Sequence, residues 1–361
     1  MKSIFLLSLS LLLLSIATIG CMPSLNEEHL VGSHEDFNTV IIRSWDEQML
    51  TNLVRLRYRD NPMFLEVGNV VAHQSTSVGG VAGLETELPG KLKPGFGMNG
   101  SLVVSPTITY TPLQGEEFAR RLLTPIPSST IFLLSQSGWS IERLMLTCVQ
   151  QANSIKNAVS AAGPTPELAP TFGDFHRLTE AFRTLQKDRM LQVEMEKDGQ
   201  TFSLHLNRSQ DPHVDSAATI IKELLGLDKE KVVFRVTSKR IPTANDEIAL
   251  TGRSLLSVLF FLSQSVETSF EDEEQGRVTV TRNAEGKRFE WSSMLGKVMR
   301  IHSSVNEPAE SAVKVLYRER WFYISDSDLA SKTTFNLLSF LFNLQAANKS
   351  GADPVMTYPV R

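Results

Sequence analysis

From Ser101 to Thr111 the chain alternates residue by residue. Leu102, Val104, Ile108 and Tyr110 take one parity, and Ser105, Thr107, Thr109 and Thr111 take the other. Successive strand residues face opposite ways, so a period of two defines a strand with one apolar and one hydroxyl-rich face. A second extended segment, Phe64 to Ser77, precedes it, and seven glycines lie between Gly79 and Gly100. Such a stretch reads as a flexible glycine-rich loop joining the arms of a long hairpin over residues 64–111.

The remaining periodicity is mostly helical. Ser44-Trp45-Asp46-Glu47 has the form of a capping box, opening a helix through Met49, Leu53, Val54 and Leu56 that Asp60-Asn61-Pro62 stops. Short helices are expected at 116–123, 130–136 and 141–158, the last carrying Cys148 on an apolar stripe with Leu144, Met145 and Val149. Ala161-Ala162-Gly163-Pro164-Thr165-Pro166 suggests a domain boundary. Beyond it come a helix on Phe175, Leu178, Phe182 and Leu185, then strands at 191–196 and 201–206 turning at Asp198-Gly199. A helix at 215–225, a strand at 232–236 and a buried helix at 255–262 follow. A meander is expected at 277–282, 288–292, 297–302, 312–317 and 321–324. The last helix, capped by Asp326 or Asp328, carries Phe335, Leu337, Leu338, Phe340, Leu341, Phe342 and Leu344 as core. Helices set apart from antiparallel hairpins predict an α+β fold: a helical, long-hairpin region at 44–163, then an antiparallel sheet with buried helices at 164–361.

The amino terminus carries an address. Lys2 precedes an apolar run from Ile4 to Ile19 that ends at Gly20-Cys21. Sixteen residues fall short of the roughly 20 that span a bilayer, and a small residue at the end of the run suits a processing enzyme, so residues 1–20 read as an export signal. The ending resembles the lipobox of bacterial lipoproteins, with Thr18 where leucine is usual. That resemblance implies a diacylated, newly N-terminal Cys21, a lipidated tether over 21–43, and, with Met22 rather than Asp next, passage to the periplasmic face of the outer membrane. Each buried acyl methylene contributes about 0.8 kcal/mol, so two or three chains hold a protein persistently. With Cys21 acylated, Cys148 has no intramolecular partner and is expected to be buried.

Charge excludes one class of partner. The chain has 36 Lys plus Arg against 40 Asp plus Glu, and losing Lys2 with the signal leaves a mature body at −5. No basic excess drives phosphate binding, so nucleic acid is not an expected partner. Catalytic patterns also fail in detail. Gly95-Phe96-Gly97-Met98-Asn99-Gly100 has the letters of a dinucleotide fingerprint without the strand-then-helix context, and glycine-loop flexibility explains it. Gly252-Arg253-Ser254 starts like a nucleophile elbow, but Leu256 stands where the second glycine is needed. Ser254 reads as a first-turn helix residue, and a buried Arg253 would need a carboxylate or carbonyl, most simply a structural ion pair.

His302-Ser303-Ser304 and His73-Gln74-Ser75 place base and hydroxyl together with no orienting acid. His29, His34, His73, His176, His205, His213 and His302 form no helical zinc pair. Glu271-Asp272-Glu273-Glu274 reads as a solvated acidic loop and Asp326-Ser327-Asp328 as a helix cap, each before any Ca²⁺ site. No catalytic, cofactor or metal residue is assigned, and Cys21 stands as the lipid attachment site.

NLVRLRYRDNP, PTITYTPLQGEEFARRLLTPIP, ALTGRSLLSVLFFLSQSVE and WFYISDSDLASKTTFNLLSFLFNLQ resemble stretches of an uncharacterised group of exported bacterial proteins. That likeness carries no reaction with it. The expected function is a lipid-anchored, non-enzymatic scaffold or binding module that meets other envelope proteins. Two alternatives are a subunit lending its 64–111 hairpin to an oligomeric outer-membrane assembly, and an envelope hydrolase with a site assembled from distant residues.

Overall fold

A computed structural model describes residues 27–86, 92–195 and 202–346, with side chains over 38–66, 112–195 and 202–345. The export signal, Cys21 and the Asp198-Gly199 turn lie outside the described residues. The chain divides into two units between Trp45 and Asp46.

Helix α1 spans Glu27–Arg57. It corrects one expectation: Ser44 lies inside the helix instead of capping it, and residues 27–43, expected as part of the tether, are helical. No proline occurs between Pro23 and Pro62, so nothing breaks the helix before Arg57. Met49, Leu50, Leu53, Val54 and Leu56 are buried, and Arg59 reverses the chain at φ 60°.

Strands β1 (Leu65–Thr86) and β2 (Leu92–Pro112) then form an antiparallel ladder that runs from Leu65↔Pro112 to Thr86↔Leu92. The glycine-rich stretch is therefore not the loop expected of it. Gly79, Gly80 and Gly83 lie in β1, and Gly95, Gly97 and Gly100 in β2. A register shift between Val67 and Val70 puts two residues of β1, Gly68 and Asn69, against Thr109 alone, a bulge near the root.

The root is held by two amides. Asn52 donates to the Met63 carbonyl at 2.7 Å and accepts from the Met63 N–H at 2.9 Å. Gln48 accepts from the Leu65 N–H at 2.7 Å and donates to its carbonyl at 3.3 Å. Residues i and i+4 of a helix rise about 6 Å, and residues i and i+2 of a strand about 6.6 Å, so one face of α1 can serve as a strand partner. Phe64 completes the joint, stacked on Phe342 at 5.0 Å and edge-on to Phe118 at 5.8 Å.

The body continues through α2 (Glu116–Leu123), α3 (Ser128–Gln136) and α4 (Ile141–Cys148). Helix α4 ends ten residues before the 158 expected, because β3 (Val149–Ala152) pairs with β8 (Glu247–Gly252) and with β4 (Ile155–Lys156). Sheet pairing there outweighs the local helical stripe. After a 3₁₀ turn at Val159–Ala162 come α5 (Gly173–Lys187), β5 (Leu191–Met195), β6 (Phe202–Leu206), α6 (Pro212–Leu225) and β7 (Val233–Thr237). The six strands run β4-β3-β8-β7-β6-β5, antiparallel except for β7 and β8. Strands from both sides of residues 161–166 thus share one sheet. That segment is pinned to the body at two points: Ala161 and Thr165 are buried, and Thr165 accepts from Arg57 Nη1 at 3.1 Å, while Pro164 is exposed.

Helix α7 (Leu255–Ser263) is buried as expected. The meander expected beyond it is shorter. Short helices α8 (Phe270–Glu274) and α9 (Ser292–Leu295) and isolated bridges at Arg282 occupy 270–295, and a three-stranded sheet, β10 (Val313–Tyr317), β11 (Arg320–Ile324) and β9 (His302–Ser304), follows. On α10 (Leu329–Ala346), Phe335, Leu337, Leu338, Leu341 and Phe342 are buried, whereas Phe340 and Leu344 are exposed. The fold is α+β, with antiparallel pairing dominant.

Truncating Asn52 to Ala strands a backbone N–H and C=O at the hairpin root. Denaturant titration is expected to show a loss of about 1–3 kcal/mol, with faster hydrogen exchange at the Met63 amide and unchanged exchange in β6.

Candidate functional site

Two features stand out from the scaffold. The first is the ladder itself. From Leu92 to Tyr110 the even positions of β2 read Leu, Pro, Phe, Met, Gly, Leu, Val, Pro, Ile and Tyr, and from Val70 to Thr86 the register pairs them with even positions of β1 that carry no ionisable residue. The odd positions hold His73, Glu85 and Lys93, with serine, threonine, glycine and asparagine among the rest. From Val70 to Thr86 the even parity is thus mainly apolar, with Gln74, Thr76 and Thr86 as exceptions, and the odd parity mainly small and polar, with Val71, Val81 and Val103 as exceptions. Neither strand pairs with another strand among the described residues, so each outer edge presents a row of backbone donors and acceptors.

The second is a polar cluster at the end of α1. Burial pulls the Arg57 guanidinium down to about 10, against the opposing field of Glu273. Its Nη1 donates to Thr165 Oγ1 and to the Thr279 carbonyl, both at 3.1 Å, while Nε has no partner. Tyr58 donates to Asp272 Oδ2 at 2.8 Å, and Ser269 and Arg277 donate to the same carboxylate at 2.7 and 2.9 Å. Burial alone would raise Asp272, but these three hydrogen bonds hold it below its ordinary value. Asp60 is likewise lowered: hydrogen bonds from Tyr317 and Arg318 outweigh its desolvation. Beside this cluster lies a cavity of about 120 Å³ walled by Val266, Trp291, Leu295 and Met299, with Arg57 and Gln264 on its lining.

The residues singled out by sequence are scattered. Gly95–Gly100 lies within β2. His73 and Ser75 share one parity of β1, and their side chains are outside those described. At Gly252 a Cβ would sit 2.2 Å from the Ile126 carbonyl oxygen, so close backbone approach, not a nucleophile elbow, requires this glycine. Ser254 caps α7, accepting from the Ser257 N–H at 3.2 Å. Arg253 forms no ion pair. It is fully buried, donates Nη2 to the Asn157 carbonyl at 2.5 Å and lies 4.0 Å over the Phe261 ring, while Nε and Nη1 are unpartnered. Burial lowers it to about 9 and raises neighbouring Cys148, fully buried as expected, to about 12.

Glu271–Glu274 is a helical turn rather than a solvated loop, with Asp272 buried and Glu273 bound to Arg288 at 3.1 Å and to Thr268 at 2.5 Å. Asp328 caps α10 by accepting from the Ser331 N–H at 3.0 Å. His302 Nδ1 lies 3.2 Å from Glu267, an oriented base, with no hydroxyl or thiol bonded to its ring among the described residues. No cluster of three metal-ligating side chains occurs among the described residues. Sequence reasoning missed Arg57, Gln264, Gln48 and Asn52. The first and last were legible as polar residues on the apolar face of α1, and the other two carried no signal.

Asp272 titrates lower in the folded chain than its unfolded 3.8, so its stabilisation is complete above that value and disappears as pH falls through the folded value. Melting temperature is expected to drop below about pH 4, and Asp272→Ala, at a cost of about 2 kcal/mol, is expected to flatten that acid limb. For Cys148, a maleimide probe is expected to leave the native thiol unlabelled and to react once the chain is unfolded in denaturant, since burial and a raised pKa both suppress the thiolate.

No protein-family model, curated protein or solved structure matches this chain.

Proposed function

We propose that this chain is a lipid-anchored subunit of an oligomeric outer-membrane assembly, to which each copy contributes the β1–β2 hairpin as part of a composite barrel. The observation that carries the reading is the ladder: about 20 residues per strand, one face free of ionisable groups, and both edges unpaired among the described residues. A two-stranded ribbon alone in water is marginal. Neighbouring copies would satisfy its edges, and lipid would cover its apolar face, the arrangement by which sheet can cross hydrocarbon.

Dimensions agree. A tilted barrel strand needs about 9–11 residues to cross a bilayer, and each strand here has about twice that. The ladder's aromatic residues, Phe96 and Tyr110, share the apolar parity and stand 14 positions apart. At about 3.3 Å per residue and a tilt near 45°, they would be separated by about 33 Å along the membrane normal, near the spacing of the two interfacial girdles. The polar parity, with its glycines and serines, would line a lumen. Cys21 acylation would deliver the body to the inner leaflet and hold it there while the hairpin inserts. No described helix is long and apolar enough to cross a membrane. The scaffold reading is retained in this form, with other copies of the chain as the partners; the hydrolase reading lacks a nucleophile at His302.

The decisive comparison is between the two parities. Arginine at Leu102 or Val104 places a charge on the lipid face, expected to cost about 2–4 kcal/mol per residue near mid-membrane, and is expected to abolish carbonate-resistant membrane association of a Cys21→Ala protein. Arginine at Ser101 or Ser105 is expected to leave it intact. Full release of Cys21→Ala into detergent-free buffer, with the ladder otherwise wild type, overturns the proposal.

A further inference from the structure

The cavity beside α1 carries a second inference, independent of the hairpin. Its lining includes two buried polar side chains with unused hydrogen-bonding capacity. Arg57, 4% exposed, has an unpartnered Nε, and Gln264, 2% exposed, has an unpartnered Oε1. The orientation of Gln264 is set, because its Nε2 donates to the Phe260 carbonyl at 3.0 Å and to Ser263 Oγ at 3.3 Å. One vacant donor belonging to a cation and one vacant acceptor therefore sit on the same wall.

Glu273 acts on Arg57 through its field without bonding to it, and each carboxylate on the lining is engaged elsewhere. Glu273 is engaged by Arg288 and Thr268, Glu267 by His302 and Arg300, and Glu290 by Arg288. Arg57 itself bonds only to neutral oxygens. A buried guanidinium held by neutral groups favours an incoming anion, and a planar carboxylate fits its fork best. A single bridging water would leave most of the space empty, since about 120 Å³ is roughly ten times the ~10–15 Å³ that one water requires. The remaining wall is mixed, with Val266, Leu295, Met299 and Trp291 on its apolar part and the paired carboxylates and arginines just named on the rest.

We propose that this cavity binds an apolar amino-acid residue with a free α-carboxylate: the carboxylate on Arg57, an N–H on Gln264 Oε1, and the side chain against Leu295, Met299 and Trp291. Two sources offer this chemistry, a free amino acid and the carboxyl terminus of a short peptide. Full-length protein in detergent micelles is to be titrated by calorimetry and thermal shift with L-leucine, L-leucinamide, the tripeptide Ala-Ala-Leu, its C-terminal amide, and sodium phosphate. Saturable binding of leucine or of the tripeptide, with at least tenfold weaker binding of the matching amide, supports the site, and the tighter of the two names the source.

Arg57→Gln is expected to weaken the carboxylate ligand about tenfold or more. Because Arg57 also ties Thr165 to Thr279 and its variant can fail to fold, Gln264→Leu is the second variant. It removes the acceptor at similar volume and is expected to weaken binding severalfold with little change in melting temperature. Three results overturn the proposal: no binding of any carboxylate, equal binding of carboxylate and amide or of phosphate, or a crystal structure soaked in the tighter of leucine and Ala-Ala-Leu with ordered water alone in the cavity.

Discussion

The joint between α1 and the hairpin rests on a match of two rises. Four residues of helix and two residues of strand cover nearly the same distance, so Gln48 and Asn52 present side-chain amides where a neighbouring strand would present peptide groups. Each amide both donates and accepts, which is what a backbone pair requires. The ladder thereby starts from a register fixed by the body. A slip of one residue would exchange its apolar and polar parities over the whole length, so the clamp protects the property on which a membrane role depends. The aromatic packing of Phe64 on Phe118 and Phe342 adds burial to the same point.

Two buried arginines show how differently the body treats charge. Arg253 is surrounded by apolar α7 and the start of the sheet, with one carbonyl and one aromatic face as its company. Arg253 is not on the lining of the cavity beside Arg57, and its unpartnered nitrogens are a cost borne by the fold. Arg57 has two neutral partners and a cavity at its side. The same chemical deficit therefore carries different meanings, and the presence of space decides between them.

Much of the architecture was legible because it follows from short-range periodicity. The 3.6-residue stripes of α5 and α7 and the alternation of β2 need no tertiary information. The failures share a cause. Strand β8, Glu247 to Gly252, lies between the turn residues Asn245-Asp246 and Gly252, but nothing local says that β3 and β7 flank it. Helix α4 gives up its last expected turns to the same pairing. The glycines of 79–100 read locally as a loop, yet small residues are also compatible with a long twisted ladder in which the opposite strand supplies the hydrogen bonds. Ser44 looked like a cap because the motif is local, and the helix simply had no reason to begin there. At the candidate site, Arg57 stood out on an apolar helix face, but its partners come from 108 and 222 residues away, beyond any local pattern.

Why a chain would keep so long a ribbon follows from the same physics. Extending a two-stranded ladder gains hydrogen bonds but leaves both outer edges exposed, and every added apolar residue on one face enlarges a surface that water disfavours. In an isolated soluble protein each further residue pair raises the risk of edge-to-edge association, and selection would shorten the strands or charge the face. Here the charged residues of the ladder, Glu66 opposite Thr111 at the root and Glu85 paired with Lys93 at the far end, all fall on the face of the odd positions of β2. The even face stays uncharged over the span of the ladder, as it would where edge pairing is the purpose and lipid the solvent. Under the proposed function, the clamp, the segregated faces and the free edges would be parts of one arrangement, in which the body sets the register and assembly would complete the sheet.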